Sequence, residues 1–157
     1  MTPFDLLSPD RVVPALAATR KDEVLVTLAG RVAQSHAGLD ERDLVEALRA
    51  RERQMTTALV NGVAIPHAKL PGLPGLVGAL GRTTTGVDCD AHDGAPTRLF
   101  FLLVGPAERP GEHLKALATV SRVLHEEGCR TALLGADDVV AMLEVLRLYG
   151  ERARPAA

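Results

Sequence analysis

His67 closes the run Ala64-Ile65-Pro66-His67 and is followed by a stretch with a glycine or proline at nearly every second position. Pro66 fixes its own φ and has no N–H to donate, so the chain enters the histidine stiffly, and Gly72, Gly75 and Gly78 let another surface come close afterwards. The product is a rigid, accessible imidazole, a competent nucleophile near pH 7 when neutral. His113 stands at the start of a second pattern, Leu114, Leu117, Val120, Val123 and Leu124, whose spacing predicts a helix beginning near His113. In a first helical turn, unpaired N–H groups and the positive end of the macrodipole attract an anion and disfavour imidazolium. His113 therefore suits an anion site. The alternative is a turn residue and a helix-start residue with no common purpose, and spacing alone does not separate these readings.

The other titratable groups offer less. His36 lies in a helix-to-helix loop and His125 in the polar end of a helix, both expected to be solvated. His92 falls in DCDAHDG, where Asp88, Asp90 and Asp93 invite comparison with a calcium loop, but Asp93 stands where that loop needs glycine and Leu99 where it needs a bidentate glutamate. A solvated acidic turn is expected instead. Cys89 and Cys129 form neither a disulfide framework nor a zinc spacing and read as small buried hydrophobes. There is no P-loop. No metal and no cofactor is expected.

The elements that must position the histidines follow from length and pattern. A chain of 157 residues is one domain, long enough to bury about 70% of its unfolded surface without staples. It is expected to span 1–150, with 151–157 a flexible tail. A net charge of −2 with no cluster of lysine and arginine predicts no nucleic-acid partner. The N-terminus lacks a basic region followed by an apolar core, and no apolar run reaches the roughly 20 residues of a membrane span, which predicts a cytoplasmic protein without membrane insertion.

Val24, Leu25, Leu28 and Val32 predict a helix over 20–35 capped by Thr19, and Leu44, Val45 and Leu48 a second one capped by Asp40. The Asn61-Gly62 pair predicts a turn into a short strand over 63–65, stopped by Pro66, with His67 at its exit. Residues 76–82 and 98–104 read as core strands, the second apolar enough to be buried on both faces, and 87–89 as a further short strand. Two helical stretches, 128–134 and 138–149, the latter capped by Asp137, finish an α/β layered domain.

Beside this reading, the segments RERQMTTALVNGVAIPHAKLPGL, VDCDAHDGAP, LFFLLVGP and EHLKALATVSRVL resemble the type-2 enzyme IIA domain of the bacterial phosphotransferase system, the fructose, mannitol and nitrogen-regulatory family. The sharpest pieces are Arg51-Glu52, Thr57, Gly62 to His67, Asp93-Gly94 and Glu112 to Leu114. The resemblance covers nearly the whole chain. It implies a single-domain sandwich with a mixed, mainly five-stranded sheet flanked by helices on both faces. It also implies that His67 accepts a phosphoryl group from an HPr-type phosphocarrier, with Arg51 and His113 as the family's second arginine and histidine at the pocket. Thr57 is a candidate hydroxyl donor to the phosphoryl group, and Glu52 reads as structural, orienting Arg51. The resemblance leaves three functions: a stand-alone regulatory (nitrogen-type) protein, the IIA component of a sugar permease passing its phosphoryl group to a separate IIB protein, or a binding module without phosphotransfer. In the regulatory version, the apolar run KLPGLPGLVG beside His67 would meet the regulated target proteins.

Overall fold

The computed structural model describes residues 1–155. Its strands are β1 (Val12–Leu16), β2 (Val63–Ala64), β3 (His67–Leu70), β4 (Val77–Val87) and β5 (Thr97–Pro106). Its helices are α1 (Lys21–Ser35), α2 (Glu41–Gln54), α3 (Pro110–His125), α4 (Glu127–Gly135) and α5 (Val139–Arg152). One mixed five-stranded sheet runs in the order β1-β4-β5-β2, with β3 also on β5. Only β4 and β5 are antiparallel; β1 is parallel to β4, and β2 and β3 follow each other in parallel along the free side of β5.

Alternation along β5 builds two cores at once. Phe100, Leu102 and Val104 face α1 and α2 with Leu28, Leu44 and Leu48, while Leu99, Phe101 and Leu103 face α3, α4 and α5 with Val120, Leu133 and Met142. A strand covered on both faces reads as a continuous apolar run, which is why 98–104 was legible as a core strand. Helices therefore flank both faces, as the resemblance implies.

Local signals hold where partners are local. Asp40 accepts the amides of Arg42 and Asp43 at 2.7 and 3.3 Å and starts α2 as expected. The start of α1 is one residue late for Thr19, whose hydroxyl donates to Glu23 Oε1 instead. Asp138, not Asp137, caps α5 by accepting the amide of Ala141 at 2.8 Å. That helix runs to Arg152 and Ala153 packs on the second core, so the expected tail contributes Glu151 and Arg152 to the last helical turn; Ala156 and Ala157 lie outside the described residues. The strand expected at 87–89 is the end of β4, where Val87 pairs with Thr97.

Two strands went unread. β1 contains Pro14, which an edge position tolerates because one side of the strand needs no donors. β3 occupies what looked like the start of a Gly/Pro loop, so His67 is not a strand exit but the first residue of a new strand, opposite Leu103 of β5. The apolar run after it is half-buried: Leu70 and Leu73 lean on the first core and Leu76 on the second, while Pro71, Gly72 and Pro74 stay exposed. Among the described residues no helix is long and apolar enough to cross a membrane.

Candidate functional site

The ends of α2, β3 and α3 converge on a cleft of about 660 Å³ lined by Arg51, Gln54, His67, Lys69, His113 and Leu114 among others. Each element delivers its residues by its own period. On α2, Ala47, Ala50, Arg51 and Gln54 share one helical face; on α3, Pro110, His113, Leu114 and Leu117 do the same; on β3, His67 and Lys69 are two apart and point the same way. Lys69 and Gln54 were missed because the first needs β3 to be recognised as a strand and the second needs the helix face toward β3 to be known.

His67 is half-buried, and its ring lies 5.6 Å from that of His113, tilted by 49°. Its Nδ1 is 2.8 Å from the carbonyl oxygen of Ile65. A carbonyl only accepts, so Nδ1 carries the proton and Nε2 keeps the lone pair. Burial pulls the His67 pKa below the ordinary value, the hydrogen bond to Ile65 opposes this, and the Arg51 charge lowers it further. The ring is therefore neutral at pH 7, with a defined tautomer and a free lone pair on Nε2.

His113 is 3% exposed, and neither ring nitrogen has a hydrogen-bond partner among the described residues. Desolvation, aided by the nearby His67 and Lys69, pushes its pKa down to about 4. Leaving a buried polar group unpaired costs about 1–3 kcal/mol, so such groups gather where a ligand supplies the missing contact. The helix begins at Pro110, three residues earlier than the apolar pattern suggested, so His113 closes its first turn and its amide donates to the carbonyl oxygen of Arg109 at 3.4 Å. Leu114, expected on the buried face, is 69% exposed, and Ala116 takes the buried position instead. Leu114 and half-buried Leu117 thus give the cleft an apolar rim.

Arg51 sits in the last turn of α2 and donates through Nη1 to the carbonyl oxygen of Met55 at 2.9 Å. That bond aims the guanidinium and uses one nitrogen, leaving a planar edge for an anion. Thr57 is placed differently from Arg51. It is buried, does not line the cleft, and gives its only hydroxyl hydrogen to Glu52 Oε2 at 2.7 Å. Glu52 does not orient Arg51; it also accepts the Thr57 amide at 2.9 Å and pairs with Lys21 at 3.4 Å. Among the described residues, no group of three or more His, Cys, Asp or Glu side chains could hold a metal ion.

Gly105 gives His113 its seat. A Cβ there would lie 2.8 Å from His113 Nδ1 and 2.8 Å from Leu76 Cδ2. Gly105→Ala is expected to lose about 1–3 kcal/mol in urea unfolding by overpacking, with the ring proton shifts of His113 moved from the parent positions. An unchanged midpoint and unchanged shifts would show that the ring has room to spare.

Comparison with known proteins agrees with this architecture. The family model of the phosphoenolpyruvate-dependent sugar phosphotransferase system, EIIA 2, matches residues 5–148. The chain is 39% identical over 144 residues to a nitrogen regulatory protein of Bradyrhizobium diazoefficiens, covering 92% of this chain and 94% of that one. It is 35% identical over 149 residues to the PTS system fructose-specific EIIA component of Haloferax volcanii, covering 93% and 92%. The crystal structure of the nitrogen regulatory protein IIA-Ntr from Neisseria meningitidis aligns with a TM-score of 0.85 at 29% identity, over 91% of this chain and 97% of that one. Because the family match runs from Asp5 to Leu148, through each helix and strand that lines the cleft, the chain belongs to the EIIA type-2 family of the phosphotransferase system.

Proposed function

We propose that this protein is a phosphohistidine carrier, taking a phosphoryl group from an HPr-type phosphocarrier on Nε2 of His67. The observation that carries the reading is the Nδ1–H bond to Ile65, which leaves Nε2 as the free lone pair in a cleft shared with Arg51 and His113. In the transfer, the N–P bond to the donor's histidine breaks as the Nε2–P bond forms, and the donor nitrogen keeps the electron pair. Charge on the His67 ring rises as its lone pair is used, and Nδ1–H then donates more strongly to Ile65. Transfer passes through a loose state with charge on the equatorial oxygens, so the protein's part is position and electrostatic stabilisation. Arg51 supplies a planar donor edge, Lys69 a second cation at the rim, and neutral His113 a ring N–H. No metal is needed, since no triphosphate has to be shielded.

Of the three functions, the regulatory one is preferred. The greater identity is to a nitrogen regulatory protein, although the fructose-specific relative follows closely. A phosphoryl group adds about −1.5 to −2 charges next to the exposed Leu114, so the two states present different surfaces to a protein partner. Retention of His67, His113 and Arg51 in one cleft argues against a module without phosphotransfer.

The test is incubation with phosphoenolpyruvate, enzyme I and an HPr-type carrier. The expected product carries one phosphoryl group, labile in acid and persistent in alkali as a phosphoramidate is; no mass gain, or an acid-stable product, overturns the carrier reading. Unmodified and phosphorylated protein are then expected to capture different partners from a lysate. Identical capture in both states, together with fast onward transfer to a purified IIB protein, would instead assign the chain to a sugar permease.

A further inference from the structure

His67 and Arg51 reach the cleft from different elements, and the carbonyl that sets the His67 tautomer belongs to neither. Ile65 lies between β2 and β3, and its amide donates to the carbonyl oxygen of Thr57 at 3.1 Å. Leu59 donates to Val63 at 2.7 Å and Ala58 bridges Ala64, so 57–65 is a small antiparallel hairpin. Asn61 and Gly62, at φ 65° and 76°, form its turn. Asp93 accepts the Asn61 amide at 2.8 Å and secures the tip. The base is secured from the other side. Glu52, in the last turn of α2 and immediately after Arg51, accepts the amide and the hydroxyl of Thr57 on its two carboxylate oxygens. Its side chain is only 7% exposed and its charge is met by Lys21 of α1.

We propose that Glu52 is a positioning residue of the His67 site: it fastens the hairpin to the end of α2 and, through Thr57 and Ile65, holds the imidazole as the Nδ1–H tautomer beside Arg51. This rests on the phosphocarrier reading for its effect on rate, but not for its effect on the ring. The chain of contacts is continuous, from the Lys21 ammonium to the Glu52 carboxylate, then Thr57, Ile65 and the ring. Charge-assisted bonds to a buried carboxylate are stronger than neutral ones and leave it little freedom. Because Arg51 and Glu52 are consecutive on α2, the contact that steadies the carbonyl accepting from His67 also sets how far that ring lies from the guanidinium.

The tautomer is read from ring-nitrogen NMR of the unphosphorylated protein at a pH where His67 is neutral. The parent is expected to show Nδ1–H alone. Glu52→Ala is expected to show a mixture of tautomers and a phosphorylation rate lower by about tenfold, because a displaced nucleophile is no longer preset for attack. Glu52→Gln, whose single oxygen still accepts the Thr57 amide while its NH2 can only donate to the Thr57 hydroxyl, is expected to recover part of both. A folded Glu52→Ala with His67 wholly in the parent tautomer and the parent rate overturns the proposal. Should Glu52→Ala fail to fold, Thr57→Val, which removes only the hydroxyl donor, decides the matter: a tautomer mixture supports the proposal and an unchanged ring overturns it. A parent that shows the Nδ1–H tautomer but gains no phosphoryl group removes the phosphocarrier reading, and the tautomer comparison still decides the role of Glu52.

Discussion

His67→Ala is expected to take up no phosphoryl group from a phosphorylated HPr-type carrier under conditions that load the parent completely. The reason is that His67 alone among the described histidines pairs a locked Nδ1–H with a free Nε2 in the cleft. His113 shares the cleft but is buried, and its ring is wedged against Gly105. Arg51→Ala is expected to keep the modification and slow it by about 10²-fold, the scale of removing one donor aimed at developing charge. That donor is not part of the core: its one side-chain hydrogen bond among the described residues, to Met55, is solvent-exposed and worth about 1 kcal/mol, so the unfolding temperature is expected to stay within a few degrees of the parent. Quantitative transfer to His67→Ala, or phosphate mapped to Thr57 or another hydroxyl, would leave His67 as a strand-start residue with no part in the transfer.

The second large effect is on stability rather than rate. His113 is held neutral in the fold with its pKa near 4, against an ordinary value of 6.5. Between those values the unfolded chain binds a proton that the folded chain refuses, so the contribution is present in full above about pH 6.5 and is lost as the pH falls toward 4. A displacement of this size corresponds to about 3 kcal/mol. Urea unfolding of the parent is expected to weaken by roughly that amount more than His113→Gln when the pH is lowered from about 7 to about 4. Parallel curves for the two proteins would mean that the ring takes up its proton without penalty, through a contact other than those described.

Much of this protein was determined by neighbours in sequence. Asp40 caps α2 because the amides it accepts from lie within three residues, and β5 is legible because a strand covered on both faces must be apolar throughout. The pieces around His67 and His113 resemble one family for a related reason: each is a short run whose composition is set by its own turn, strand or helix start. What only the tertiary structure decided are the relations between such runs. β3 makes its backbone bonds to β5, so nothing in its own four residues distinguished it from the loop that follows, and Lys69 could not be placed in the cleft until that strand was known. Glu52 was legible as structural, but its partner turned out to be Thr57 rather than Arg51, and this redirected the threonine hydroxyl away from the cleft. The seat of His113 depends on Gly105 lacking a side chain, a contact between a strand end and a helix start that no local pattern encodes. Periodicity and capping act over a few residues, as does the Ile65 carbonyl that sets the His67 tautomer, whereas the pKa values and the shape of the cleft depend on atoms that come together only when the two cores close on the sheet.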